Sequence, residues 1–144
     1  MLVRQILATK GGGGVITIGS NTLVSDAARL LSEKRIGAVV VSDDGDTAQG
    51  ILSERDIVRE LGRRGDGCLD DSVTALMTRE LIGCTPDETA DDVLEKMTRG
   101  RFRHMPVTED DKMIGLISIG DVVKARLSEL SMEKDALEGM IKGF

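Results

Sequence analysis

The chain says nearly the same thing twice. Gly50-Ile51-Leu52-Ser53-Glu54-Arg55-Asp56-Ile57-Val58 returns as Gly115-Leu116-Ile117-Ser118-Ile119-Gly120-Asp121-Val122-Val123, and both read G-apolar-apolar-S-x-x-D-apolar-apolar. Upstream of each lies the same order of parts: a short apolar run, an amphipathic stretch and a second apolar run ending in a turn. A duplicated unit leaves an apolar face that it cannot bury alone, so the two copies are expected to pack on each other. Any site is then expected at the seam between them, in duplicate.

The local patterns fill in this frame. Val3, Ile6 and Leu7 predict a short helix within residues 1–10, ended by Gly11 to Gly14. Val15 to Ile18 reads as a strand, rich in β-branched residues. Leu23, Ala27, Leu30 and Leu31 fall at helical spacing over residues 24–35, with Ser25 or Asp26 near the start. Ala38 to Val41 and Ala48 to Leu52 are strands around the turn Asp43-Asp44-Gly45-Asp46. Ser53 opens a second helix that ends near Gly62.

After a glycine-rich charged connector and a short helix around Val73 to Met77, the order starts again. Leu81 to Cys84, Asp91 to Arg99, His104 to Val107 and Met113 to Ile117 match the first copy, at an offset of 66 and then 65 residues. Strand, helix, strand, strand, helix is thus repeated in a mixed α/β (α+β) chain. The divisions are an N-terminal segment 1–12, a first repeat 13–62, a connector 63–78, a second repeat 79–128 and a C-terminal helix extension 129–144. That last helix is predicted from Asp121 to Lys142, with an apolar seam through Val123, Leu127, Leu130, Leu137, Met140 and Ile141. The seam suits either packing on its own module or pairing with a second subunit.

Composition excludes several function classes. The net charge of -6 and an aromatic complement of two phenylalanines, Phe102 and Phe144, argue against nucleic acid, which needs a basic face and stacking platforms. No apolar run approaches the roughly 20 residues of a membrane span, and the first residues lack the build of a signal peptide. Cys68 and Cys84 make no metal spacing and no disulfide framework, so free thiols point to the cytoplasm. No nucleophile, base and orienter set is visible, which makes the chain non-enzymatic on this reading.

Chemistry then rests on a few side chains. Ser53-x-x-Asp56 and Ser118-x-x-Asp121 suit a helix N-cap, with Ser accepting from a first-turn amide and the acid favouring the positive helix end. The same geometry suits a ligand: Asp is an acceptor-only group for both hydroxyls of a ribose, and the helix N-terminus beside it, with Arg55 in the first copy, favours a phosphate. Arg103 and His104 stand where the first copy has the small Gly37 and Ala38, and a planar, always charged Arg suits an anionic group. A base pocket would be aliphatic. Ile16, Thr17 and Ile18, with Gly83, Cys84 and Thr85, could offer strand-edge backbone groups, and Met105 could pack on a ring face.

These strings resemble a tandem pair of cystathionine-β-synthase-type (CBS) domains, a Bateman module. The likeness covers residues 13 to about 128 and extends to Ala75-Leu76-Met77-Thr78, Gly100-Arg101-Phe102-Arg103-His104-Met105-Pro106-Val107 and Ile117 to Lys124. It looks like a small stand-alone bacterial CBS-pair protein. The resemblance implies ligand sensing, with an adenine nucleotide such as AMP, ATP or NAD, or S-adenosylmethionine, in clefts between the repeats. It also implies ribose contacts at Asp56 and Asp121, with Ser53 and Ser118 beside them, and phosphate-facing groups at Arg103 and His104. It implies a homodimer and a regulated protein in trans. The other reading is a structural or dimerisation module with vestigial clefts.

Overall fold

A computed structural model describes residues 1–11 and 14–142; Gly12 and Gly13 of the glycine run, and Gly143 and Phe144 of the C-terminal extension, lie outside them. The architecture is mixed α/β. In chain order the elements are α1 (Val3–Thr9), β1 (Thr17–Ile18), α2 (Val24–Lys34), β2 (Ala38–Val41), β3 (Gly50–Ser53), α3 (Glu54–Arg64), α4 (Ala90–Gly100), β4 (His104–Glu109), β5 (Lys112–Ser118) and α5 (Ile119–Ile141). Short 3-10 turns occupy Asp66–Asp70 and Val73–Ala75. Two compact units result: Gly14–Ile82 with Glu109–Ile114, and Met1–Gly13 with Gly83–Thr108 and Gly115–Phe144.

In the first-repeat unit the sheet order is β1-β2-β3. β1 runs parallel to β2 with Thr17 opposite Val40, and β3 antiparallel with Ala38 opposite Ser53. All four residues of β2 are buried, as a central strand covered on both faces requires. The hairpin turn is stapled by Asp44, whose Oδ1 accepts from the amides of Asp46 at 2.9 Å and Thr47 at 2.7 Å. Val24, Ala27 and Leu31 of α2 and Ile57 of α3 close over Val39, Val41 and Leu52, together with Val73, Leu76 and Met77.

Several boundaries differ from expectation, each for a visible reason. The strand over Val15–Ile18 narrows to Thr17–Ile18; Ile16 still accepts from the Val40 amide, at 3.4 Å. Neither Ser25 nor Asp26 caps α2. Its N-cap is Leu23, and a backbone bond from the Val24 amide to the Asp71 carbonyl at 2.9 Å takes the place of a side chain. α3 runs through Gly62 to Arg64, because Arg63 and Arg64 both pair with Glu60 in its last turn, at 2.9 and 2.7 Å. Part of the glycine-rich connector is a 3-10 turn with Cys68 fully buried.

In the second-repeat unit, β4 and β5 pair. The strand expected at Leu81–Cys84 is reduced to a single parallel bridge between Cys84 and Val107. Beyond it the chain turns at once, with the Thr85 amide donating to Glu88 at 2.6 Å. Val3 and Ile6 of α1 join Val93, Met97, Met105, Val107, Ile117 and Val122 in one core. A seven-residue helix would not persist alone in water. Burying Val3 and Ile6 contributes about 1.5–3 kcal/mol each, which is enough to hold it.

The segments ahead of the two repeats are therefore equivalent. Leu2 bridges Thr89 as Ser72 bridges Leu23. The Val3 amide donates to Glu88 at 2.8 Å as that of Val73 donates to Thr22 at 2.9 Å. The strap in front of each repeat closes the unit of the other.

Candidate functional site

The duplicated motif folds the same way twice. Each Ser ends a strand in an extended conformation, and the helix begins at the next residue. The Asp56 amide donates to Ser53 Oγ at 3.2 Å, and the Ser53 amide returns to Asp56 Oδ2 at 2.9 Å. The Asp121 amide donates to Ser118 Oγ at 3.1 Å, and the Ser118 amide to Asp121 Oδ2 at 2.9 Å. Both capping boxes are complete. The first helical amide of each also has a matching acceptor: Glu54 donates to the Gly37 carbonyl at 2.9 Å and Ile119 to that of Arg103 at 2.8 Å. These contacts leave the intervening amides of Arg55 and Gly120 for another acceptor.

The two carboxylates differ in their surroundings. Asp56 is only 6% exposed. Its Oδ2 also accepts from Ser53 Oγ at 3.0 Å, and its Oδ1 takes Arg59 Nη2 at 2.8 Å from the next turn of α3. Asp121 keeps 23% of its side chain exposed and meets Lys10 Nζ at 2.8 Å. Burial pushes the Asp121 carboxyl up, but the Lys10 ammonium and the Ser118 amide outweigh it and hold the group below its ordinary 3.8.

The strand edges divide sharply. Ile16 and Ile18 spend their carbonyls on β2, accepting from Val40 and Ser42. Thr17 lies between them on an edge strand, so its amide and carbonyl face away from the sheet. In the second repeat the counterpart of Thr17 is Gly83, whose carbonyl is taken, while Cys84 bonds to β4 as Ile18 does to β2. Cys84 donates to Pro106 at 3.0 Å and accepts from Thr108 at 2.9 Å, Gly83 accepts from Lys96 at 3.1 Å, and the Thr85 amide goes to Glu88. Burial raises the Cys84 thiol to about 12, with Glu88 adding to the shift.

On the basic segment, Arg103 is exposed at the entry to β4, His104 is half-buried, and Met105 and Pro106 are buried. The backbone of Arg103 touches the start of α5, beside Ser118 and Asp121, as Gly37 does at the start of α3. Ala38 is buried opposite Ser53. Gly37, Ala38, Ser53 and Asp56 thus share one junction, and Arg103, Ser118 and Asp121 share the other. A recess of about 500 Å³ opens between α2 and α3, walled by Ala28, Leu31, Ile36, Gly37, Ile57 and Val58 among others; Asp56 is not part of that wall. Among the described residues no group of three or more His, Cys, Asp or Glu could hold a metal ion, and no helix is long and apolar enough to cross a membrane.

Three participants escaped the sequence reading. Arg59 was legible as an i,i+3 partner of Asp56. Thr89-x-x-Asp92 is a third capping box, at the start of α4, and the same S/T-x-x-D spacing announces it. Lys10, 111 positions from Asp121, carries no local signal.

The model of the CBS domain family matches residues 3–63 and 73–128. The CBS domain-containing protein CBSX3 of Arabidopsis thaliana, described as mitochondrial, is 33% identical over 98% of this chain and 72% of its own length. The crystal structure of the CBS-domain containing protein ATU1752 from Agrobacterium tumefaciens is 44% identical, with a TM-score of 0.83 over 88% of this chain and 99% of that one. The CBS domain pair of protein MJ0100, solved in complex with 5'-methylthioadenosine and S-adenosyl-L-methionine, is 25% identical, with a TM-score of 0.77 over 90% and 98%.

Proposed function

Because the chain belongs to the CBS-domain family, we propose that it is a non-enzymatic sensor of an adenosine-containing ligand, with AMP, ATP or NAD as the ligand class. One site is assigned to each strand-to-helix junction. The observation that carries this reading is the duplicated pairing of an acceptor-only carboxylate with a helix N-terminus at Asp56 and Asp121. The MJ0100 domain pair supports it, since both of its ligands contain adenosine.

A ribose would donate its vicinal hydroxyls to the carboxylate, and the phosphate would take the neighbouring free amide, helped by the helix dipole. Arg103 adds a cation at the second junction, where the first has Gly37, so the two sites are expected to differ in affinity. The open edge at Thr17 supplies a donor and an acceptor for a base in the first repeat. A second copy would cover the exposed stripe of α5, in which Val123, Leu127, Leu130, Leu137 and Ile141 recur at steps of three, four or seven residues. The site of action is the cytoplasm, where Cys68 and Cys84 stay reduced, and the output passes to a regulated protein in trans.

The test is a thermal melt with and without adenosine, AMP, ATP and NAD, followed by titration of Asp121→Asn. A ligand at a hundred times its dissociation constant adds about 2.7 kcal/mol. Losing charge-assisted hydrogen bonds worth about 1.5–3 kcal/mol weakens binding roughly tenfold to a hundredfold in the variant. If no adenosine compound shifts the melt, the completed capping boxes are the whole purpose of the motif and the chain is a structural module. Turnover of the nucleotide would overturn the non-enzymatic assignment.

A further inference from the structure

The two junctions carry different resident cations. In the first repeat, Arg59 comes from the same helix as Asp56, lies 64% exposed, and occupies Oδ1 alone. Swinging it into water costs little, and the Ser53 hydroxyl that also donates to Asp56 Oδ2 at 3.0 Å can rotate away to leave a lone pair there. In the second, Lys10 reaches in from the end of α1, which is anchored through Val3 and Ile6. Its ammonium donates to Asp121 Oδ2 at 2.8 Å and to the Leu116 carbonyl at 2.7 Å.

Oδ2 also accepts from the Ser118 amide at 2.9 Å. A carboxylate oxygen has two in-plane lone pairs, so Oδ2 is full while Lys10 stays. A vicinal diol gripped by a carboxylate needs an acceptor on both oxygens. Lys10 and a ribose therefore compete for the same atom. We infer that Lys10 is a resident counter-ion that a ribose must displace from Asp121, and that this displacement makes the second-repeat site select phosphorylated nucleotides over the neutral nucleoside. The inference rests on the sensor reading above. A neutral nucleoside removes the partner of an ammonium and returns nothing, whereas a nucleotide brings its own anion. The four-carbon stem of Lys lets the ammonium swing to that anion while α1 stays packed.

The experiment is calorimetric titration of adenosine and of AMP into the wild type, Lys10→Met and Lys10→Arg, each also in the Asp121→Asn background. Half-exposed ion pairs are weak, so Lys10→Met is expected to bind adenosine about two- to fivefold more tightly. AMP gains nothing, and the preference for AMP over adenosine shrinks by at least that factor; Lys10→Arg retains it. Raising the salt concentration tightens adenosine binding to the wild type, because screening loosens the pair, and leaves Lys10→Met unchanged. In the Asp121→Asn background the Lys10 substitution has no effect on adenosine.

An unchanged AMP preference in Lys10→Met, or an adenosine gain that survives Asp121→Asn, overturns the assignment. A ligand-free control separates this failure from that of the sensor reading. By carboxyl NMR, Asp121 titrates higher in Lys10→Met than in the wild type, and identical titrations overturn the role of Lys10 whatever binds. Heatless titrations with every adenosine compound remove the sensor reading, and this inference with it.

Discussion

The glycines that open the duplicated motif, Gly50 and Gly115, make the same demand with different severity. A methyl group on Gly50 would lie 2.6 Å from Met77 Sδ, 2.8 Å from Met77 Cγ and 2.9 Å from the Thr78 carbonyl oxygen. On Gly115 it would lie 2.7 Å and 3.0 Å from the two terminal methyls of Leu7. Comfortable carbon contacts begin at about 3.5 Å, so both positions are overpacked by Ala. A leucine tip can rotate away. The Thr78 carbonyl cannot, because it accepts from the Ile51 amide at 3.0 Å while the Thr78 amide donates back at 2.9 Å.

Overpacking costs about 1–3 kcal/mol. Gly115→Ala belongs near 1 kcal/mol on that scale, with only side-chain atoms to move. Gly50→Ala adds the weakening of two backbone hydrogen bonds, each about 0.5–1.5 kcal/mol, for a total near 3 kcal/mol. At about 3–5 °C per kcal/mol for a chain of this size, the melting temperature should fall by about 10 °C for Gly50→Ala and about 4 °C for Gly115→Ala. Calorimetric melts of both variants read this directly. Leu7→Ala should recover part of the Gly115→Ala loss, whereas Met77→Ala should not recover that of Gly50→Ala. Equal losses, or rescue at Gly50 by Met77→Ala, would refute the distinction between backbone and side-chain obstruction.

Two further outcomes are expected. The Arg63 hydrogen bond, then that of Arg64, hold the Glu60 carboxyl down to about 2 from its ordinary 4.5. A carboxyl lowered by folding stabilises above its unfolded value and loses that contribution as pH falls through the folded one. The melting temperature should therefore drop between about pH 4.5 and 2, and Glu60→Gln should flatten part of that slope; an identical acid limb in the variant would remove Glu60 from the account. Burial that lifts Cys84 to about 12 leaves almost no thiolate near neutrality. An aromatic disulfide reagent at pH 8 should label neither Cys84 nor the fully buried Cys68 until denaturant is added, and rapid labelling of the native protein would contradict this.

What could be read from the sequence follows the range of the interactions. The helices over Val24–Lys34 and Ile119–Ile141 announce themselves through spacing, and Ser53 and Ser118 through the cap they form three residues ahead. Weak strands were harder, because Leu81–Cys84 becomes a strand only to the extent that a neighbour accepts it, and one bridge to Val107 is all it finds. The start of α2 is similar: Asp26 lies in its first turn as the spacing suggests, but the amide of Val24 is satisfied on Asp71, far along the chain. At the site, the motif gave both aspartates and the i,i+3 spacing gives Arg59 for Asp56, yet no local pattern shows that Asp121 meets Lys10. That contact is a consequence of where α1 comes to rest.

That resting place has a consequence for how such a chain can be divided. α1 completes the unit of the repeat furthest from it in sequence, and Val73 to Thr78 complete the one they follow. A cut after residue 70 would strip the leading half of its own closing strap and leave it holding one it cannot use, while the trailing half would keep a strap made for its absent twin. Neither piece inherits a finished interior.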